Sequence, residues 1–483
     1  MDWLLSWHWT TLITGMSFLV QLCLLPLLLL HKKKHPESTV AWLMLLLMVP
    51  IFGGVVFVIF GINRVERKAA RRALASRAIT RNLPELTQYQ LIPSEKYSVH
   101  QRRLMRLATR LAETVPTNNN KVEIVADTNR TFGLIEQAIR EAKQSIHLEY
   151  YIWQPDATGL RLRDWLVERA RSGVEVRVLV DGIGSWAMRR NRRFVQPMKD
   201  AGIQFATFLS GQHWRNRLLI NLRSHRKIVV VDGQTGFTGG MNIGDEYLGL
   251  DPKLGYWRDT HMRIQGPAVL QLQQVFAEDW YHATGEELTA PSYYPPPIEG
   301  GPTAAQVLAG EPSGEAEVFH QLMFTAINEA ERRLTLATSY FVPTPALAMA
   351  LESAAYRGVK VRLLLCCQSA HMATVYAAQS YYDSLLQAGV EIYEYQKGLL
   401  HSKTMTIDGH WSFVGSPNFD SRSLLLNFEI GLAFYDSRVA QQLEEDFEND
   451  QKDARQLEYD EWVKRPKWRV LRENICRLFS PVL

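Results

Sequence analysis

His225-Arg226-Lys227 is followed after four residues by Asp232, and after six more by Gly239-Gly240-Met241-Asn242. The same spacing returns as His401-Ser402-Lys403, then Asp408, then Gly415-Ser416-Pro417-Asn418. The shared frame is H-x-K-x4-D-x6-G-x-x-N. A single H-x-K is commonplace, whereas two copies with the same long spacing point to a duplicated unit. Lys227-Ile228-Val229-Val230-Val231 and Thr404-Met405-Thr406-Ile407 read as strands. Residues i and i+2 of a strand share a face, so His225 sits beside Lys227 and His401 beside Lys403. Asp232-Gly233 and Asp408-Gly409 read as hairpin turns, and the returning strands bring Asn242 and Asn418 back towards the His-Lys pairs.

The repeat extends outward from these motifs. Ala138-Ile139-Arg140-Glu141-Ala142 is matched by Ala326-Ile327-Asn328-Glu329-Ala330, and each precedes a strand-like run beginning at Ser145 or Arg333. Gly173-Val174-Glu175-Val176 matches Gly358-Val359-Lys360-Val361, and Ala201-Gly202-Ile203 matches Ala388-Gly389-Val390. Helical stretches alternating with apolar strands predict an α/β sandwich in each half. Six prolines between 291 and 312 mark an expected linker.

Two histidines, two lysines and two amides suit a phosphodiester. Lysines and amides would hold non-bridging oxygens as charge builds. One imidazole would attack phosphorus, while the other protonates the leaving alkoxide and later deprotonates the incoming alcohol. Asp259 and Glu429 follow their motifs at similar distances and are the expected orienters of the imidazoles. A metal site is disfavoured, since protonated lysine is a poor ligand and no H-x-H or H-E-x-x-H occurs.

The chain resembles the phospholipase D superfamily over roughly residues 120–450, on the strength of the two H-x-K-x4-D motifs. Its layout goes further. Two apolar segments, containing Ala41-Trp42-Leu43 and Gly61-Ile62-Asn63-Arg64, precede the halves, Tyr151-Ile152-Trp153 fits the body's first strand, and Lys464-Arg465-Pro466 opens a basic tail. That order resembles the bacterial cardiolipin synthases along nearly the whole chain. The resemblance implies condensation of two phosphatidylglycerol molecules into cardiolipin and glycerol, with no metal or cofactor. It implies catalytic roles for His225, Lys227, Asp232, His401, Lys403 and Asp408, with His225 the favoured nucleophile. A membrane-bound phosphodiesterase of the same superfamily, hydrolysing lipid or nucleic acid, is the alternative. The family's Gly-Ser pair is kept at Gly415-Ser416 but is Gly239-Gly240 in the first half, which makes Gly240 the point where the halves differ.

The ends of the chain bear on the partner. The net charge is +4, yet residues 1–81 alone hold ten Lys/Arg against three Asp/Glu. Basicity concentrated beside the most apolar part favours anionic membrane lipid over nucleic acid as partner. Residues 9–30 and 38–63 carry no formal charge, and each exceeds the about 20 residues that a spanning helix needs. Asp2, with no Lys or Arg before Trp9, argues against a cleaved signal peptide. Pro50, Gly53 and Gly54 allow the second run to span with a kink or to re-enter. Arg64, Arg67, Lys68, Arg71, Arg72, Arg77 and Arg81 outweigh Lys32, Lys33 and Lys34, which places the body on the cytoplasmic side of the inner membrane. The lysine loop is the contrary signal.

The expected organisation is a membrane hairpin (1–63), a basic juxtamembrane linker (64–115), a first half (116–285), a Pro/Gly-rich linker (286–315), a second half (316–455) and a basic amphipathic tail (456–483). Residues 64–81 read either as a basic helix on lipid or as a solvated linker. Residues 186–222 interleave Arg189, Arg190, Arg192, Arg193, Arg215 and Arg217 with Trp186, Phe194, Phe205, Phe208 and Trp214. They read as a lipid-facing surface or as an ordinary solvated excursion. In the tail, Trp468, Leu471, Ile475 and Leu478 fall on one helical face, either for lipid or for the catalytic core. Oligomeric state is not legible. Four cysteines without a C-x-x-C exclude a disulfide framework or a zinc ribbon.

Overall fold

The computed structural model describes residues 2–30, 36–58, 86–208, 223–252, 255–298, 300–312, 317–369 and 372–479. Lys32, Lys33, Lys34, the basic stretch 64–81, and Trp214, Arg215 and Arg217 lie outside the described residues. The N-terminal helices form one compact unit and the remainder another.

The N-terminal unit holds α1 (Asp2–Leu30), α2 (Pro36–Met48) and α3 (Pro50–Val56). Proline lacks the amide that would continue a helix, so the second apolar run breaks at Pro50. Leu28, Leu46 and Phe57 form a small core. A side chain at Gly54 would meet Val20 Cγ1 at 2.7 Å, which is why a glycine stands at that crossing. Among the described residues, no helix is long and apolar enough to cross a membrane.

The body is built on strands named in chain order. The first half supplies β1 (Thr117–Val125), β2 (Ser145–Tyr150), β3 (Glu175–Asp181), β4 (Gln204–Phe208), β5 (Ile228–Val231), β6 (Thr235–Gly239), β7 (Trp257–Arg258) and β8 (His261–Gln265). The second supplies β9 (Thr303–Gly310), β10 (Arg333–Thr338), β11 (Phe341–Val342), β12 (Lys360–Cys366), β13 (Glu391–Tyr395), β14 (Leu399–Leu400), β15 (Lys403–Ile407), β16 (Trp411–Gly415), β17 (Phe419–Asp420), β18 (Glu429–Phe434) and β19 (Ala454–Leu457).

Fifteen of these make one sheet, in the order β19-β13-β12-β10-β15-β16-β18-β9-β1-β8-β6-β5-β2-β3-β4. Read outward from the β9–β1 seam, both halves give the same succession of seven strands, to which β19 adds an eighth in the second half, so the duplication seen in sequence is a duplication of topology. β2, β3 and β4 run parallel with helical crossovers, as do β10, β12 and β13. β5–β6 and β15–β16 are antiparallel hairpins. Their turns carry positive φ at Asp232 (52°) and Gly233 (65°), and at Asp408 (51°) and Gly409 (71°), the backbone that Asp-Gly hairpins favour.

Two expected boundaries need correction. The Pro/Gly-rich linker (286–315) contains β9, a buried strand paired with β18 and β1. Prolines flank this proline-free run of Thr303-Ala304-Ala305-Gln306-Val307-Leu308-Ala309, which the composition of the whole segment concealed. The tail (456–483) is also part of the body. β19 pairs with β13, and the helix Lys467–Leu478 packs against the second half. One core cluster includes Ile228, Val230 and Met262 of the first half with Val414, Ile430 and Leu432 of the second, so apolar packing continues across the seam.

Candidate active site

The two motif segments meet through exchanged backbone contacts. His225 N–H donates to Phe428 O (2.8 Å), and Phe428 N–H donates to Arg223 O (2.9 Å). In the other direction, His401 N–H donates to Arg258 O (2.7 Å), beside the short β7–β14 ladder. Each histidine segment thus lies against the carboxylate-bearing segment of the opposite half.

The side chains follow the same exchange. His225 Nδ1 is 2.9 Å from Glu429 Oε2, and His401 Nδ1 is 2.6 Å from Asp259 Oδ2. Donation of Nδ1–H to a carboxylate leaves the lone pair of a neutral ring on Nε2, the nitrogen free for chemistry. Both carboxylates are almost fully buried. Burial alone would push them up, but the imidazoles, the lysines and their hydrogen bonds outweigh it, and both titrate below ordinary values. The imidazoles move down because burial disfavours their charged form, His401 to about 4.

Lys227 Nζ donates to His225 O at 2.6 Å. Lys403 Nζ donates to His401 O and to Ser339 Oγ, the latter at 2.9 Å. Burial lowers Lys227 to about 7 and Lys403 to about 8. Each lysine also repels the other across the seam. A nearby negative charge would restore the ordinary titration of both ammonium groups.

The halves differ around the carboxylates. Glu429 Oε2 also accepts from Ser416 Oγ (2.5 Å), and its Oε1 accepts from Asn427 (3.2 Å). A Cβ at Gly240 would stand 2.1 Å from Asp259 Oδ1, so the shorter carboxylate occupies the space that a serine would need. Asp259 Oδ1 accepts instead from Thr260 N–H at 2.7 Å. The loss of serine at Gly240 and the use of Asp rather than Glu are one coupled difference.

Not every expected residue belongs to the site. Asp232 and Asp408, expected among the catalytic residues, close the far ends of their strands. Asp232 accepts the N–H groups of Lys143, Gln144 and Ser145, and Asp408 those of Glu331, Arg332 and Arg333. They staple helix ends to the sheet, because a carboxylate in an αL turn offers both oxygens to a run of free amides. Asn242 is tied into the fold by Ile152 N–H (3.2 Å) and Tyr247 Oη (2.9 Å). Asn418 Oδ1 is buried without a partner, so its amide is the freer of the two.

Sequence reasoning missed several residues. The Tyr151 ring meets His225 edge-on at 5.0 Å, and the Trp257 ring lies 5.3 Å from His401. Arg226, the middle residue of the first motif, is wholly buried. It pairs with Asp279 and donates to Glu429 O (3.2 Å) and Gly310 O (3.1 Å), binding the first motif to the second half. Its partner positions are distant in sequence, so nothing local marked it.

The family model described as cardiolipin synthase, PLD-like domain, matches residues 135–280 and 323–451. A cardiolipin synthase of Halalkalibacterium halodurans is 36% identical over 458 residues, 94% of this chain and 90% of that one. The chain belongs to the cardiolipin synthase family. A cardiolipin synthase of Geobacillus kaustophilus is 38% identical, with 94% of this chain and 90% of the relative covered. A phospholipase D-nuclease N-terminal model matches residues 19–61, over the helical unit. The crystal structure of phosphatidylserine synthase from Haemophilus influenzae Rd KW20 superposes with a TM-score of 0.60 at 16% identity, covering 79% of this chain and 98% of that one. That likeness extends to the fold. As a member of the cardiolipin synthase family, the chain is an enzyme of the phospholipase D superfamily with a repeated α/β domain.

Proposed function

We propose that this enzyme transfers a phosphatidyl group from one phosphatidylglycerol to the headgroup hydroxyl of a second, giving cardiolipin and glycerol. The observation that carries this reading is the reciprocal pair His225–Glu429 and His401–Asp259 around two charge-strained lysines. One imidazole Nε2 forms a bond to phosphorus as the bond to the glycerol oxygen breaks, and the other imidazole, protonated once the phosphodiester's negative charge offsets its burial, gives that oxygen its proton. The hydroxyl of the second lipid then loses its proton to the same imidazole and attacks phosphorus, and the P–N bond breaks. Lys227, Lys403 and Asn418 neutralise the non-bridging oxygens throughout. The resemblance to the family favours His225 as the nucleophile, and the reciprocal histidine–carboxylate pairs support one site with two roles.

The membrane reading has two supports. Leu12, Met16, Phe18, Leu19 and Leu22 of α1 are exposed, as are Met44, Leu47 and Phe52 of the following helices, and an apolar exterior of this kind suits lipid. We assign this unit as the membrane anchor, with the body on the cytoplasmic side from the Lys/Arg count. In the body, Trp468, Leu471, Ile475, Leu478 and Phe479 are exposed, while Glu473 on the opposite face is buried against Arg465. The tail helix packs on the body with one face, and the exposure of the other supports the lipid reading. The 186–222 segment supports less. Phe194 and Phe208 are core residues, and Trp186, stacked under Arg190 at 4.9 Å, is the exposed aromatic of its described part.

The test is the purified protein in detergent with phosphatidylglycerol alone and EDTA. Cardiolipin and glycerol in equal amounts are expected. Phosphatidic acid with little cardiolipin would make water the acceptor and overturn the transferase reading.

A further inference from the structure

Each orienting acid has a backbone carbonyl as well as a carboxylate, and in both pairs that carbonyl is held by an arginine. Arg226 Nε donates to Glu429 O at 3.2 Å, and its Nη2 donates at 3.1 Å to Gly310 O, where β9 ends. Its Nη1 pairs with Asp279 on the helix Ala268–Thr284. In the other pair, Arg258 Nη1 donates to Asp259 O and lies 3.4 Å from Ala126 O, just past the end of β1. Its Nε and Nη2 grip Asp450, on the helix Ser437–Gln451, at 2.8 Å each.

The two sets correspond partner for partner. Each guanidinium joins the carbonyl of an orienting acid, a carbonyl at the end of a seam strand, and an aspartate on a helix of the half opposite the acid. Yet the arginines are not repeats of one another. Arg226 is the middle residue of the first motif, where the second has Ser402. Arg258 precedes Asp259, where Phe428 precedes Glu429. The duplicated chain thus reaches one arrangement from opposite segments, from beside His225 in one pair and from beside Asp259 in the other. The corresponding positions are filled to suit. The Arg226 guanidinium lies over the Phe428 ring at 5.6 Å. Ser402 Oγ meets Thr260 Oγ1 at 2.9 Å, and that hydroxyl accepts from Arg258 Nη1 at 3.0 Å. Arg258 therefore reaches both Asp259 and the residue next to His401.

Arg226 is wholly buried and Arg258 nearly so. A buried guanidinium is tolerated when a carboxylate and further acceptors satisfy it, and its planar fork then fixes the groups it joins. A carbonyl held in this way fixes the base of its own side chain, and so the place where the carboxylate meets Nδ1. Misplacing a catalytic group by about 1 Å can cost about 10²-fold in rate.

We propose that Arg226 and Arg258 are positioning residues, one for each histidine–carboxylate pair: Arg226 holds Glu429 against His225, and Arg258 holds Asp259 against His401. The proposal rests on the two roles given to the histidines above, and goes beyond them in making each arginine serve one role. Arg226 then governs formation of the bond between His225 Nε2 and phosphorus. Arg258 governs the proton transfers of His401.

The test uses the full-length chain with a phosphatidyl ester of p-nitrophenol beside phosphatidylglycerol. With the nitrophenyl ester, the P–N bond forms as the P–O bond breaks, and the electron pair leaves on nitrophenolate, which needs no proton. Discharge still moves one: the acceptor hydroxyl gives its proton to the second imidazole, its oxygen bonds to phosphorus, and the P–N electrons return to the first. R226K and R258K keep the charge but not the fork. R226M/D279L and R258M/D450L remove both partners of each ion pair, so that neither is left buried without the other. The Arg258 variants are expected to keep the nitrophenolate burst, to accumulate the phosphatidyl-histidine adduct, and to lose about tenfold or more in cardiolipin formation. The Arg226 variants are expected to lose about tenfold or more in the burst rate itself, without accumulating adduct. Damage to the fold would lower both substrates alike in every variant and would trap no adduct. Equal losses in the two sets, or no loss in either, in variants whose near-UV circular dichroism matches the wild type, would overturn the proposal. The opposite pattern would keep both arginines as positioning residues and make His401 the nucleophile. Wild-type conversion of phosphatidylglycerol to phosphatidic acid alone would defeat the transferase reading separately, because burst and adduct report on the arginines whichever acceptor discharges the histidine.

Discussion

At the residue scale, the proposed mechanism gives His225 and His401 separate roles, in which neither replaces the other. H225A and H401A are each expected to lower cardiolipin formation by at least about 10²–10⁴-fold, the range for a positioned acid, base or nucleophile. Substantial turnover in either single variant would contradict a joint site. The lysines set a pH limit. Lys227 near 7 and Lys403 near 8 lose their charge as pH rises, and with it their hold on the phosphate oxygens. kcat/KM is therefore expected to fall as pH rises through about 7–8, and K227R, which stays charged, should move that limb upward. A wild-type profile flat to high pH would count against the lysines' role.

The motif residues were legible because His, Lys and carboxylate chemistry is tied to residue type. Asp259 and Glu429 were expected from their similar distances after the motifs, and the structure sets each beside a motif histidine. What sequence concealed was which carboxylate serves which histidine. That exchange is a property of two segments meeting across the seam, with His225 and Glu429 separated by 204 positions. Asp232 and Asp408 show the converse. A strict motif position can be fixed by a structural duty, here the capping of free amides by an αL carboxylate.

At the element scale, the helix Lys467–Leu478 has one packed face and one exposed apolar face. Glu473 and Arg465, with Asp383, fasten it to the body, and Arg472 stacks over Tyr376 at 3.5 Å. Its exposed Leu471 and Ile475 make no such anchor. L471Q/I475Q is expected to weaken binding to anionic vesicles about tenfold or more, since each buried aliphatic side chain contributes about 1.5–3 kcal/mol. Activity on short-chain lipid in detergent should survive. Unchanged vesicle flotation would remove this face from the membrane reading. The apolar periodicity predicted the exposed face, but a single helix cannot announce that its other face is taken. β9 was hidden for a similar reason, as its apolar run is short and its neighbours are prolines.

At the scale of the whole molecule, the duplicated halves are joined by one sheet, one continuing core and one set of exchanged hydrogen bonds. The body, residues 86–479, is expected to unfold in a single transition by both near-UV circular dichroism and calorimetry. Two separated transitions would show that the halves are independent domains. The pseudo-symmetry also bears on the proposed chemistry. A duplicated site gives two equivalent histidines, and the Gly240–Asp259 and Ser416–Glu429 difference removes that equivalence.

The central claim is that both halves build one phosphodiester site in which one imidazole attacks phosphorus and the other moves protons. The most direct measurement is rapid acid-free quenching of the enzyme during turnover of phosphatidylglycerol, followed by mass mapping of the modified peptide. The account predicts a phosphatidyl adduct on one imidazole only, with His225 favoured, and no adduct when either His225 or His401 is replaced by alanine. Adducts on both histidines in comparable amounts, or a single-alanine variant that forms and discharges the adduct at the wild-type rate, would contradict it.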